Sequence, residues 1–198
     1  MGKNIRHLLA VGVLMLGFGI APKVYAEEYA IDKAHSSVGF STTHLMVSKV
    51  PGQFSEYEGV VNFDPDNLDA SKINLTIQAA SIDTQNEKRD EHLKGAEFFD
   101  AAQFPTITFV SKKIAKDADK YNVTGDLTIK GVTKEVSIPV TIAGPVNSPM
   151  GGSVIGVTAF AKINRQDYGV SWNKSLDNGG LMVSDDVDIN VSLEANKK

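Results

Sequence analysis

The sequence predicts an all-β domain, an eight-stranded antiparallel barrel with one short helical insertion. Three observations point there. Runs of residues that alternate apolar and polar with a period of two recur along the chain, giving seven or eight strands. Turn signals, not long crossovers, separate successive runs. One charged, strand-poor block, Asn86 to Pro105, interrupts the pattern. A sandwich fits the same pattern; runs of eight to twelve residues joined by hairpin-like connections favour the barrel.

The first 26 residues read as a secretory signal. Lys3, Arg6 and His7 form a basic start, and Leu8 to Ile20 is an apolar run of 13 residues. Val24-Tyr25-Ala26 supplies a cleavage site. A spanning helix needs about 20 apolar residues, so the run is short for an anchor and no stable membrane insertion is expected. No cysteine is present to carry a lipid. The expected mature chain is a single domain, residues 27–198, exported to the periplasm.

Ser36 to Thr43 alternates with Val38 and Phe40 on one face, and Gln53 to Phe63 alternates less cleanly. Asp64-Pro65-Asp66-Asn67 is built from turn residues. Lys72 to Ala79 places Ile73, Leu75, Ile77 and Ala79 opposite Lys72, Asn74, Thr76 and Gln78, a strand wet on one face. In the charged block, Leu93, Phe98, Phe99 and Phe104 have the spacing of short helical turns that end at Pro105, and connectors of this kind often serve as caps. Thr106 to Lys112 resumes the alternation, and Lys116 to Lys120 is a charged turn.

Tyr121 to Ile129 sets Val123 and Leu127 on one face, and Lys130-Gly131 turns the chain. Glu135 to Ala143 aligns Val136, Ile138, Val140 and Ile142, with Pro139 on the opposite face marking an edge or bulge. Asn147 to Gly152 and Leu176 to Gly180 are glycine-containing loops with the freedom to gate access. Val154 to Asn164 and Val183 to Ala195 complete the set, the last with Val187, Ile189, Val191 and Leu193 in one row.

Charge and composition narrow the function. The chain has 20 Lys and Arg against 24 Asp and Glu; removing Lys3, Arg6 and Lys23 with the leader leaves 17 against 24, a net of −7. That balance argues against nucleic acid as a partner and against docking on anionic lipid. With no cysteine, thiol catalysis, iron–sulfur clusters and cysteine-ligated zinc are excluded, and stability rests on burial alone. The Asn-x-Thr/Ser triplets at Asn74, Asn122 and Asn190 are chance matches in a bacterial-type export context.

Five ordered elements resemble the YceI-like family. They are Ile31-Asp32-x-x-His35-Ser36-x-Val38-x-Phe40 with His44, then Ser48-Lys49-Val50-x-Gly52-x-Phe54 with Gly59, then Arg89-Asp90-x-His92-Leu93-x-Gly95 through Phe98-Phe99-Asp100 to Phe104-Pro105. Gly125 to Thr133 and Ile163-Asn164-Arg165-x-Asp167-Tyr168-Gly169-Val170, with Trp172 and Asn173, follow. The resemblance spans Tyr29 to Leu193; Pro51, where a basic residue is common, and Tyr168, for a frequent phenylalanine, are mild departures. It implies a lipocalin-like barrel in an exported protein that holds a polyisoprenoid or similar long-chain amphiphile, with no enzymatic activity and no cofactor.

Candidate lining residues for such a tunnel are Phe40, Phe54, Leu75, Ile77, Phe109, Val123, Leu127, Ile138, Val140, Val187, Ile189 and Val191. Arg165 and Trp172 are candidates for a polar mouth, although their surroundings also read as a structural corner. Periodicity alone fits a filled, dry core equally, and a stress-related module with such a core is one alternative. An enzyme acting on a lipidic or quinone substrate through His35, His92 or Arg165 is the other. His35, His44 and His92 match no short zinc spacing, and Asp32 with His35 reads as a cap at a strand start. Arg89, Asp90 and His92 read as a solvated helical face with an internal ion pair, and a homodimer through an exposed strand or the insertion is compatible with the pattern.

Overall fold

In the computed structural model, which describes residues 26–149, 151–177 and 179–198, ten β segments form one antiparallel sheet that closes on itself. The signal segment expected over residues 1–26 lies outside the described residues except for Ala26. The segments are β1 (Glu27–His44), β2 (Ser48–Phe54), β3 (Tyr57–Phe63), β4 (Lys72–Gln78), β5 (Ile82–Asp83), β6 (Thr106–Asp117), β7 (Lys120–Ile129), β8 (Val132–Asn147), β9 (Ser153–Asn164) and β10 (Val183–Lys197). Among the described residues one α-helix, α1 (Glu87–Lys94), is present, between β5 and β6.

Ten segments make eight barrel strands. β2 pairs with the second half of β1 and β3 with its first half, so β2 and β3 run as one interrupted strand beside β1. β4 and β5 run along them in the same way. Closure is made by β1 and β10, in register from Tyr29 opposite Lys197 to His44 opposite Val183. The expected eight-stranded antiparallel barrel is therefore the fold, and the sandwich is not.

Several strand boundaries differ from the expectation: β6 runs to Asp117, into the expected charged turn, β8 spans Val132–Asn147 where Glu135 to Ala143 was expected, and β1, β2 and β3 differ as well. β1 starts nine residues before Ser36, because a bulge between Asp32 and Ser37 scrambles the alternation that would have marked it. The run Gln53 to Phe63 is broken at Ser55-Glu56, and β2 begins at Ser48. Asp32 is accordingly the last paired residue before this bulge and His35 lies within it, neither at a strand start. Serine hydroxyls replace the ladder partners lost at such breaks: Ser36 Oγ accepts from Glu194 N at 2.9 Å, and Ser111 Oγ accepts from Ile73 N at 2.8 Å, beside the second bulge in β6. A buried N–H left without a partner there would cost on the order of 1–3 kcal/mol.

Pro139 occupies the position its missing N–H requires. β8 bonds to β9 only from Val140 onward, so Val132 to Pro139 pair with β7 alone. On the other side of this seam, Phe160 to Asn164 pair only with β10. The segment Arg165–Tyr168, a 3-10 turn, follows directly, and Lys134 Nζ reaches Asp167 Oδ1 across the seam at 3.7 Å.

The two ends of the barrel differ. At one end Tyr29, Val61, Phe63 and Ile155 are almost wholly buried, and Phe63 meets Tyr121 edge-on at 5.6 Å, which makes a packed plug. The other end is covered by the insertion. Asn86 caps α1 through Oδ1, which accepts from Arg89 N at 3.0 Å; Glu87 and Asp90 occupy the first turn and His92 and Lys94 the last, as the helix dipole favours.

The β1–β2 hairpin turns at Leu45 and Met46, both in the left-handed region (φ 49° and 63°) where Asn-Gly is usual, and it leaves Val47 exposed. The two loops expected to be flexible fold back on themselves: Ser148 N donates to Gly152 O at 3.0 Å and Leu176 N to Gly180 O at 2.8 Å.

The difference between packed plug and hollow half is measurable. Ile155→Ala should lower the unfolding free energy by about 3 kcal/mol, because every methyl removed loses close neighbours. Val187→Ala, on the wall of the void described below, should cost about 1 kcal/mol. Urea unfolding of both variants, with unchanged dependence on denaturant, checks that order.

Candidate functional site

Inward side chains from all around the sheet enclose a cavity of ≈ 210 Å³. Its wall follows from strand periodicity: successive inward positions of β4 (Ile73, Leu75, Ile77), β7 (Val123, Leu127, Ile129) and β10 (Val187, Ile189, Val191, Leu193) stack into apolar rows. β1 adds Val38, Phe40 and Thr42, β6 adds Ile107 and Phe109, and β8 and β9 add Ile138, Val140, Val157, Ala159 and Ile163. The plug residues Tyr29, Phe63 and Ile155 lie beyond the wall and close the far end.

The insertion covers the near end with aromatic rings and leaves the cavity partly open. Phe40 lies 5.7 Å from Phe54, and Phe54 meets Phe99 edge-on at 5.9 Å. Phe98 stacks 5.3 Å from Trp172, and His92 sits edge-on to both at 4.9 Å and 5.3 Å. The cap is tied to the barrel by Lys130 Nζ, which donates to Ala96 O at 2.8 Å and Gly169 O at 3.2 Å. Phe104 rests on Gly131, whose φ of +74° and 2.5 Å clearance from the ring exclude a side chain. Arg89 and Asp90 do not pair with each other. Both grip Thr84: Asp90 Oδ1 accepts from Thr84 N at 2.9 Å, and Arg89 donates to Thr84 Oγ1 and O at 2.7 Å each.

Of the residues singled out from sequence, Phe40, Phe54, Leu75, Ile77, Phe109, Val123, Leu127, Ile138, Val140, Val187, Ile189, Val191 and Arg165 all stand on this wall. Trp172 does not; its indole packs on His92 and Phe98 in the cap. Sequence reasoning left out Leu93, Phe98 and Phe99, which reach the cavity from the insertion, and Tyr168 and Val170 from the seam. The helical spacing of the insertion's hydrophobics was the available signal for the first group.

Arg165 is only 5 % exposed, and its guanidinium is fully occupied. Nε donates to Ser184 O, one terminal nitrogen to Val170 O and Trp172 O, and the other to Val183 O and Asp185 Oδ1, at 2.6–3.3 Å. Five N–H groups meet five protein acceptors, so none faces a ligand. Burial pushes the group's pKa down and Asp185 opposes that shift. This is the structural corner, and it holds the β9 end, the seam loop and the start of β10 together.

The histidines do not converge. His35 lies in the β1 bulge, with Nδ1 3.0 Å from Asp32 Oδ2 and 3.8 Å from Glu194 Oε1, while His92 pairs with Glu97 at 3.0 Å in the cap. His44, nine strand positions from His35, is roughly 30 Å away along β1. Asp32, His35 and Glu194 are close enough to one another to ligate an ion, but they form an exposed ion-pair cluster outside the cavity.

A family description of the YceI-like domain matches residues 29–195. The chain belongs to the YceI-like family. A UPF0312 protein of Staphylococcus aureus is 42% identical over 167 residues, covering 84% of this chain and 95% of that protein. The crystal structure of Burkholderia cenocepacia BcnA superposes with a TM-score of 0.74 at 32% identity, covering 84% of this chain and 99% of BcnA. A Campylobacter jejuni YceI protein gives 0.67 at 39% identity, covering 84% and 96%. A polyisoprenoid-binding domain from Saccharophagus degradans shares the fold at 0.62 and 16% identity, covering 86% and 98%.

Two outcomes test this description. Arg165→Met should destabilise the protein by roughly 3–5 kcal/mol, since four carbonyls and a carboxylate lose their donors; Arg165→Lys, with three donors and no planar fork, should recover only part, as read by urea unfolding. The His35 pKa is raised, first by its hydrogen bond to Asp32 and then by the charges of Asp32 and Glu194, and the Asp32 pKa is lowered, chiefly by the same bond. The imidazole's contribution is full below its unfolded pKa and fades as pH rises through the folded value. The carboxylate's contribution is present above its unfolded pKa and fades as pH falls through the folded value. In an NMR titration, Asp32→Asn should therefore lower the His35 pKa.

Proposed function

We propose that this chain is an exported binding protein that carries or stores a long-chain isoprenoid or similar amphiphilic lipid in its barrel. The observation that carries the reading is the hollow half of the barrel: ≈ 210 Å³ enclosed by apolar rows from strands at both ends of the chain. An empty void of that size sacrifices on the order of 5 kcal/mol of packing. A filled core would need only larger side chains in place of the valines at positions 123, 187 and 191, so the void is what the filled-core alternative leaves unexplained. An apolar tail restores the lost contacts and gains about 25 cal/mol for each Å² taken from water.

Support comes also from the YceI-like family and from the polyisoprenoid-binding domain that shares the fold. Export and a periplasmic location rest on the basic and apolar segment from Lys3 to Ala26. Catalysis by His35, His92 or Arg165 has no geometric support: the first is outside the cavity, the second is stacked in the cap, and the third has no free donor.

Native mass spectrometry of the purified protein, followed by organic extraction, tests the reading. A stoichiometric isoprenoid or long-chain amphiphile is expected, and Ile138→Glu, which places a charge on the wall, should abolish its uptake in a folded variant. A folded wild-type protein that neither retains nor takes up such a lipid would overturn it.

A further inference from the structure

The β1–β2 hairpin ends in three consecutive exposed apolar residues, Leu45, Met46 and Val47, at 38 %, 63 % and 81 % exposure. Leu45 and Met46 stand in the left-handed region, where most side chains are unfavourable and Asn or Gly is usual. The turn therefore keeps apolar side chains in water against both solvation and backbone preference. The other exposed large hydrophobics among the described residues, Val110, Val132, Val146 and Phe160, are isolated in sequence, as on an ordinary surface. The tip also projects. β2 pairs with β5 only at Gln53 and Phe54, so from Ser48 to Gly52 its ladder is with β1 alone. It stands at the capped end of the barrel, opposite the plug. His44 pairs with Val183, a residue of the cavity wall, and Leu45 N donates to Met182 O at 2.8 Å.

We propose that this tip docks the protein on the surface of a zwitterionic lipid bilayer, and that the cavity is loaded and emptied there. This rests on the lipid-binding reading and adds the place of transfer. Charge favours a surface without net charge: from Ser36 to Ser55 the ionisable side chains are His44 and Lys49, with no carboxylate. The acidic start of β10 beside the hairpin is neutralised, Asp185 by Arg165, Asp186 by Lys162 and Asp188 by Lys49. The acidic balance of the whole chain makes anionic lipid the poorer host. A protein partner fits less well. Three side chains fall far short of the roughly 800 Å² that each partner buries in a standard interface. Strand addition along the free edge of β2 is opposed by Lys49 and by Pro51, which has no N–H to donate. A fluid bilayer needs no complementary pocket: a projecting apolar tip enters the headgroup boundary and its side chains leave water. Docking in this pose holds the partly open end of the cavity against the phase in which a long-chain ligand dissolves.

The test uses the full protein, vesicles of phosphatidylcholine, and geranylgeraniol supplied either in those vesicles or from ethanol. Wild type should float with the vesicles, resist release by salt, and draw geranylgeraniol from them. Met46→Ser combined with Val47→Ser should reduce vesicle association and the rate of transfer by on the order of tenfold. Its final occupancy from ethanol should equal that of wild type, because neither residue is on the cavity wall. Met46→Leu, which stays apolar, should behave as wild type. Suppose wild type binds geranylgeraniol from ethanol but does not float with vesicles, or is released by salt, or the serine pair leaves association or transfer unchanged. Docking by the tip is then wrong while the lipid reading stands. A serine pair that lowers the oligomeric state in light scattering makes the tip a contact between copies and equally overturns the proposal. If wild type binds geranylgeraniol from neither source, the lipid reading fails and the transfer role falls with it.

Discussion

The pairing of the first strand with the last underlies the rest of this structure. β1 and β10 meet from one end of the barrel to the other, and that ladder closes a sheet with two raw edges into a barrel whose remaining opening is the half-seam between β8 and β9. Backbone polar groups are thereby satisfied within the wall itself, and the interior needs no polar side chains to serve them. An apolar interior becomes affordable, and so does a partly empty one, because the shape of the wall is held by hydrogen bonds around its circumference.

Where the ladder is incomplete, other devices take over. Ser36, Ser71 and Ser111 supply hydroxyls to backbone groups stranded at turns and bulges. Along the half-open seam between β8 and β9, Arg165 organises the loop that carries Tyr168 and Val170 to the wall. The insertion performs the same service at the end: Phe98 and Phe99, adjacent in sequence, face Trp172 and Phe54 respectively, so one short segment ties the seam loop and β2 into a common cap.

The legible and illegible parts of the sequence divide along physical lines. Rows such as Leu75 and Ile77, or Val187, Ile189 and Val191, could be read because strict alternation assigns a face to each residue, and these side chains are on the cavity wall. The beginning of β1 could not be read, because a bulge destroys the alternation while Ser36 preserves the pairing. Trp172 was a candidate for the mouth of the barrel; its stacking partners there, His92 and Phe98, are distant in sequence and could not be read from it. Thr42 was passed over because a polar residue in an apolar row reads as an outward or neutral position. Whether a barrel is hollow or filled depends on how rows from eight strands meet across the interior, and no single row contains that information.

Closure has a consequence for the order of events in the life of the chain. The cavity wall takes side chains from Val38 to Leu193, and its last row belongs to the strand that ends at Lys197. Contacts across 140 to 170 residues of chain are slow to form, because loop closure precedes any gain from them. Until β10 docks, there is no enclosed space, only an open sheet with an apolar face and an unpaired edge. Any molecule that the cavity comes to hold enters it after folding is complete or is trapped in the act of completion.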